Sequence, residues 1–244
     1  MPSSRRPSLE EEAIKAYNYR VVCRLHFWFS GAAMDLEALP PSVSGVGAGQ
    51  LIRFTNSRQD SLMKGIVFTE FIQFIESQFG IVTADHLLTA TNPKSGGVYS
   101  AVGSYDAGEL LAMVVELSKV EQIPAPVLVK AFGGYLFFRF IAAHGAWLSA
   151  FKTTEQLLGS VESHIHVEVR KLYPDAELPH LAFRQVDATT SELHYRSTRP
   201  LADLAEGLIE STIRHFADPI TFVRVDLPPE DGTSASFRLT RSSS

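Results

Sequence analysis

The chain has 244 residues, 45% hydrophobic and 20% charged, with a formal net charge of −5. That length and balance suit one large domain, or a smaller one with extensions, built around an ordinary core. The charge gives no global attraction for nucleic acid, and the longest apolar run, "GGYLFFRFIAA" (133–143), carries Arg139 and is too short to span a bilayer. Cys23 is the single cysteine, which excludes an intramolecular disulfide and any cysteine-rich zinc or iron–sulfur centre. These features predict a cytoplasmic protein without a membrane partner.

The first 62 residues read as an N-terminal extension. "RVVCRLHFWFSGAAM" (20–34) holds Arg24 and His26, so it makes a poor signal-peptide core. "LPPSVSGVGAGQ" (39–50) has a linker composition; its "GVGAG" lacks both the third glycine of a dinucleotide loop and the Gly-Lys-Ser/Thr of a P-loop.

The pattern changes at Met63. "MKGIVFTEFIQFIESQFG" sets Ile66, Val67, Phe71, Ile75 and Phe79 at helical spacing and stops at Gly80. Asp106 is placed to cap a helix over 107–120, and a further helix begins near Pro124 and continues through "YLFFRFIAAHGAWLSAF". Thr153 or Thr154 caps a predicted helix over 155–173, with a stripe of Leu158, Val161, Ile165, Val169 and Leu172. Strands are predicted at 180–186, 191–197, 220–227 and 234–241, with a helix at 201–216 between the second and third. The fold class is therefore α+β, a helical N-terminal half followed by an antiparallel sheet with helices.

Two short segments carry candidate chemistry. In "LHYRSTRP" (193–200), Tyr195, Ser197 and Arg199 alternate, so on a strand they share one face. A buried row of that kind needs acceptors, and fixed anionic oxygens would supply them; an exposed row is ordinary surface, and spacing alone leaves both readings open. In "SHIHVEV" (163–169), His164 and His166 would point roughly 200° apart on a helix, too far to chelate one ion together. Each lies at a margin of the apolar stripe. A solvent-facing histidine is the plain reading of either, and one imidazole reaching a haem iron is the alternative, because the porphyrin provides the equatorial ligands. Haem propionates would in turn suit a tyrosine, serine and arginine row.

Taken together these segments resemble the haem nitric oxide/oxygen-binding (H-NOX, HNOB) family, whose signature is His, twelve residues, Pro, fourteen to sixteen residues, then Tyr-x-Ser-x-Arg. Fifteen residues separate Pro179 from Tyr195, and twelve separate His166 from Pro179. "MKGIV" (63–67), "LYPDAELP" (172–179) and "GLIE" (207–210) add to the likeness, which covers about Met63 to Asp226. The resemblance implies a domain at 63–226 with a C-terminal strand or tail at 227–244, and an extension at 1–62 that is partly disordered or reflects an over-called start.

It further implies a haem b cofactor held between the two halves, with His166 as axial ligand to iron. Tyr195, Ser197 and Arg199 would hold the propionates, Pro179 would press on the porphyrin, and Gly133 and Gly207 fall at family glycine positions, Gly207 as a hinge. The distal wall would be Val67, Phe71, Leu136 and Leu204. Leu204 stands where oxygen-binding members have a tyrosine, which points to NO, with CO as a second gas. Binding of NO would loosen His166 and move its helix and the Tyr195 strand. Stand-alone bacterial members signal in trans to a histidine kinase or to a diguanylate cyclase or phosphodiesterase, and such a sensor is not an enzyme. The alternatives are a haem enzyme acting on NO or peroxide, an oxygen-binding member, or a haem-free interaction module. Two departures stand out: Pro200 follows the signature arginine where glycine is common, and the cysteines of some members' zinc site are missing.

Overall fold

The computed structural model describes residues 62–242, so Cys23 and the extension read over 1–62 lie outside the described residues, apart from Leu62, which is on a strand. In chain order the elements are β1 (Leu62–Lys64), α1 (Gly65–Phe79), α2 (Ile81–Thr91), β2 (Ser104–Asp106), α3 (Ala107–Glu121) and α4 (Ala125–Leu148). They continue with α5 (Thr154–Ser160), a π-turn (Val161–Ile165), α6 (His166–Leu172), β3 (His180–Gln185), β4 (Thr190–Arg196), α7 (Ala202–Phe216), β5 (Ile220–Asp226) and β6 (Ser234–Arg241). The α+β class and the predicted strands and helices are present, to within a residue or two at most ends; α2 and the small β1–β2 ribbon had no counterpart in the sequence reading.

The helical half is built on aromatic packing. Phe68, Phe71, Phe74 and Phe132 are almost wholly buried, and Phe71 meets Phe132 edge-on at 5.0 Å between centroids. The buried face of α1 is broader than the predicted stripe, because Phe68 is covered from a second side by Tyr99, stacked at 4.6 Å. Asp106 caps α3 as expected, accepting from the Gly108 N–H at 2.8 Å. Gly80 ends α1 at φ 95°, a conformation that costs glycine little. In α4, the span Ala125–Ala143 is long and apolar enough to cross a membrane by length and composition, yet 56% of it is buried within the fold. Arg139 on that helix forms a two-pronged pair with Glu70 of α1, at 2.7 and 3.1 Å.

The second half is a four-stranded antiparallel sheet in the order β3-β4-β6-β5. The last strand thus lies inside the sheet, and its Ala235, Phe237 and Leu239 share a core with Leu193, Tyr195, Ala202 and Ile209. α7 covers that face. Against it α4 crosses at close range: a Cβ added to Gly133 would lie 2.3 Å from the Leu204 carbonyl oxygen, and one added to Gly207 would lie 2.0 Å from that of Lys130. Only glycine permits this contact.

On the alternate positions of β4, Glu192 sits directly opposite Arg184 of β3 and Arg238 of β6. Its carboxylate accepts from both guanidinium groups at 2.6 Å, and they hold its pKa down from an ordinary 4.5 to about 2.

Two predictions follow from this packing. Gly207→Ala should lower stability by about 1–3 kcal/mol, since backbone must move to admit the methyl group; an unshifted thermal midpoint would refute the close crossing. A depressed carboxylate stabilises the fold above its unfolded pKa, and that contribution disappears as pH falls from 4.5 through about 2. The stability gap between wild type and Glu192→Gln should therefore be full near pH 6 and narrow over that window. Denaturation midpoints that stay equally far apart at every pH would contradict it.

Candidate functional site

A local irregularity places the first candidate residue. The helix predicted over 155–173 is interrupted by the π-turn, in which the His166 N–H reaches back to the Val161 carbonyl. The extra residue in that turn rotates everything after it relative to a continuous α-helix. His166 is thereby carried to the buried side, with 7% of its surface exposed, while Leu172, expected on the apolar stripe, is 73% exposed. His164 lies inside the turn, exposed, with Nδ1 2.8 Å from Ser163 Oγ. Periodicity leaves the two histidines undecided at the stripe's margin, while the signature spacing selects His166; the structure separates them by burial, with His166 the buried one.

The His166 imidazole is oriented from one side. Its Nδ1 lies 3.1 Å from Glu162 Oε2, one helical turn back. Burial pushes the His166 pKa down, against the upward pull of Glu162. Burial pushes Glu162 up in turn, yet the Leu181 N–H (3.2 Å), His166 and Arg170 (3.3 Å) outweigh it and hold the carboxylate low. A neutral imidazole donating through Nδ1 keeps its remaining lone pair on Nε2, the state a metal ligand requires. Glu162 had no part in the sequence reading, although a carboxylate four residues before a helical histidine is a readable signal.

The second segment differs from its prediction. β4 ends at Arg196, so Tyr195 is on the strand while Ser197 and Arg199 lie beyond it. The alternation that would align all three therefore stops at Arg196, and a turn gathers the rest. Ser197 N–H donates to the Thr233 carbonyl at 2.8 Å, and the Arg199 N–H donates to Ser197 Oγ at 3.1 Å. Tyr195 and Arg199 are both buried, at 3% and 5% exposure. Tyr195 faces the core, where burial pushes its pKa up against the opposing pull of hydrogen bonds from Ser197 and the Leu201 backbone, and its hydroxyl makes a long contact, 3.5 Å, to the Arg199 carbonyl. The Arg199 guanidinium donates to the backbone carbonyls of Leu62, at 2.7 Å, and Glu177. Burial presses its pKa down, and its ion pair with Glu177 is long, 3.9 Å. A buried guanidinium with neutral carbonyls as its close partners retains a strong preference for an anion.

Pro179, half-buried, immediately precedes β3, two residues before the Leu181 N–H that Glu162 accepts. Phe71 and Leu136 are buried in the helical core, and Val67 and Leu204 pack against that same cluster. Lys64, missed by the sequence reading, bridges the halves. Its Nζ reaches Asp175 at 2.7 Å and Ser104 Oγ at 2.8 Å, and lies 5.5 Å from the Tyr173 ring centroid.

These side chains fit a haem: a buried imidazole with Nε2 available, a buried guanidinium and phenol suited to carboxylates, and an apolar wall. Comparison with known proteins agrees. The profile of the Haem-NO-binding family matches residues 64–224. The unliganded Fe(II) H-NOX protein of K. algicida is 32% identical, with a TM-score of 0.70 over 75% of this chain and 98% of its own. The IWP-051-bound H-NOX of Shewanella woodyi in the Fe(II)CO state is 40% identical, with a TM-score of 0.64 over 74% of this chain and 95% of its own. The S. oneidensis H-NOX in the Fe(II)NO state is 28% identical, with a TM-score of 0.68 over 74% of this chain and all of its own. No curated protein matches the sequence. The chain belongs to the H-NOX family of haem-based gas sensors, and its cofactor is haem.

Proposed function

We propose that this protein is a nitric oxide sensor in which His166 is the axial ligand of ferrous haem and a separate signalling protein, such as a histidine kinase or a cyclic-di-GMP enzyme, reads the result. The observation that carries the reading is a contrast in chemistry. His166 is buried with Nδ1 engaged by Glu162, whereas Val67, Phe71, Leu136 and Leu204 form one apolar group. When bound, haem would supply a ferrous iron able to take a diatomic gas.

The protein's own residues then set selectivity and response. The four apolar side chains offer no hydrogen-bond donor to a ligand that gains negative charge, as dioxygen does; NO and CO need none. Nor do they offer an acid or base, which favours sensing over turnover of NO or peroxide. Tyr195, Ser197 and Arg199 would hold the propionates, and Pro179, at the start of β3, would press on the porphyrin. On the other side, Glu162 ties His166 to the Leu181 backbone, so a displacement of α6 pulls on the edge of the sheet. Two conformations with different affinities for gas are enough for such a switch.

Two measurements test this. His166→Gly should lose haem or its axial bond and recover with added imidazole, while His164→Ala should keep a wild-type Soret band; equal behaviour of the two variants would overturn the ligand assignment. Reduced, haem-loaded protein should change its spectrum with NO and with CO but give no stable oxygenated spectrum in air. A lasting oxygenated form would overturn the selectivity.

A further inference from the structure

We infer that Glu162 is a positioning residue for His166, a carboxylate that fixes the imidazole's tautomer and sets how strongly Nε2 can hold iron. The inference rests on the reading of His166 as the haem ligand and deepens it. Glu162 is ionised and therefore only accepts, so at 3.1 Å the proton must lie on His166 Nδ1. A carboxylate in that position makes the imidazole a stronger donor than a backbone carbonyl or water would.

Glu162 is itself built in. Its Oε2 also accepts from the Leu181 N–H at 3.2 Å, and its Oε1 accepts from Arg170 at 3.3 Å, with His180 Nδ1 3.9 Å from Oε2. The π-turn is what allows this. It holds Glu162 between α5 and α6 and turns His166 inward, so the residue that orients the ring and the ring itself come from one distortion of the helix. The same carboxylate also touches β3 two residues after Pro179, so the imidazole and the start of the sheet share one acceptor.

The test is resonance Raman of the ferrous, ligand-free, haem-loaded protein, read at the iron–histidine stretch, together with the reduction potential. Glu162→Gln keeps the shape of the side chain and removes its charge; it should lower the stretching frequency and raise the potential. Glu162→Ala should shift both further the same way. His166→Gly is the reference, and it should lack the band. If that variant keeps the band, the ligand assignment falls. If it loses the band while both Glu162 variants keep the wild-type frequency and potential, only the positioning role falls. Should Glu162→Ala fail to retain haem, the Glu162→Gln shift decides alone, because a purely structural contact would leave the frequency where it was.

Discussion

The near-contact of α4 and α7 at Gly133 and Gly207 is the constraint on which the rest of the arrangement depends. α4 belongs to the aromatic core of the helical half and α7 to the face of the sheet, so their crossing sets how the halves meet. With backbone against backbone there is no side chain to compress, and the joint is fixed by atoms that cannot change rotamer. Leu136 lies one turn after Gly133 and Leu204 one turn before Gly207, so two of the four residues proposed for the distal wall inherit their positions from it. Charge surrounds the crossing: Lys130 of α4 bridges Glu206 and Glu210 of α7 at 2.9 Å each, and Arg224 of β5 joins Asp203 and Glu206. Because these groups are partly buried, each anion relies on its cation, and the network resists sliding of one helix along the other.

The π-turn solves a separate problem. His166 must be carried to the buried side, yet the outward face of its helix must remain polar enough for solvent. In a continuous helix over 155–173 the stripe through Leu158, Ile165 and Leu172 would face inward and both histidines would sit at its edge. One wider turn resets the phase, burying His166 and exposing Leu172 and Val167. The backbone irregularity costs some hydrogen-bond regularity, and its return is a ring placed and oriented at once.

This also explains what was legible in the sequence. Periodicity and caps delivered α3, the long α4, α7 and all four strands of the main sheet, since each is governed by local pattern or by one capping residue such as Asp106. The spacing of His166, Pro179, Tyr195, Ser197 and Arg199 delivered the candidate set. What could not be read was phase and reach. The π-turn has no compositional mark, so the stripe was extended through it. The ends of β4 depend on partners in β3 and β6, so local pattern carries the predicted strand to Ser197 and the alternation on to Arg199, whereas the pairing stops at Arg196. The β1–β2 ribbon has only three residues on each side and is held by contacts distant in sequence, to which local pattern is blind.

Those distant contacts bear on how the site comes into being. Arg199 reaches the Leu62 carbonyl 137 residues away, and Lys64 reaches Asp175 across 111. Contacts across loops of that length carry a closure entropy that local contacts do not, so these polar bonds at the rim of the site depend on the two halves being docked. Arg199 is nevertheless buried with neutral carbonyls as its close partners and only a long ion pair to Glu177, so its charge is incompletely compensated for leaving water. A dicarboxylate cofactor that engaged it would stabilise the folded state alone, by mass action. If Arg199 holds the propionates as proposed, haem binding and the closure of the rim would be one equilibrium, in which a residue incompletely satisfied by the protein itself contributes to holding the cofactor.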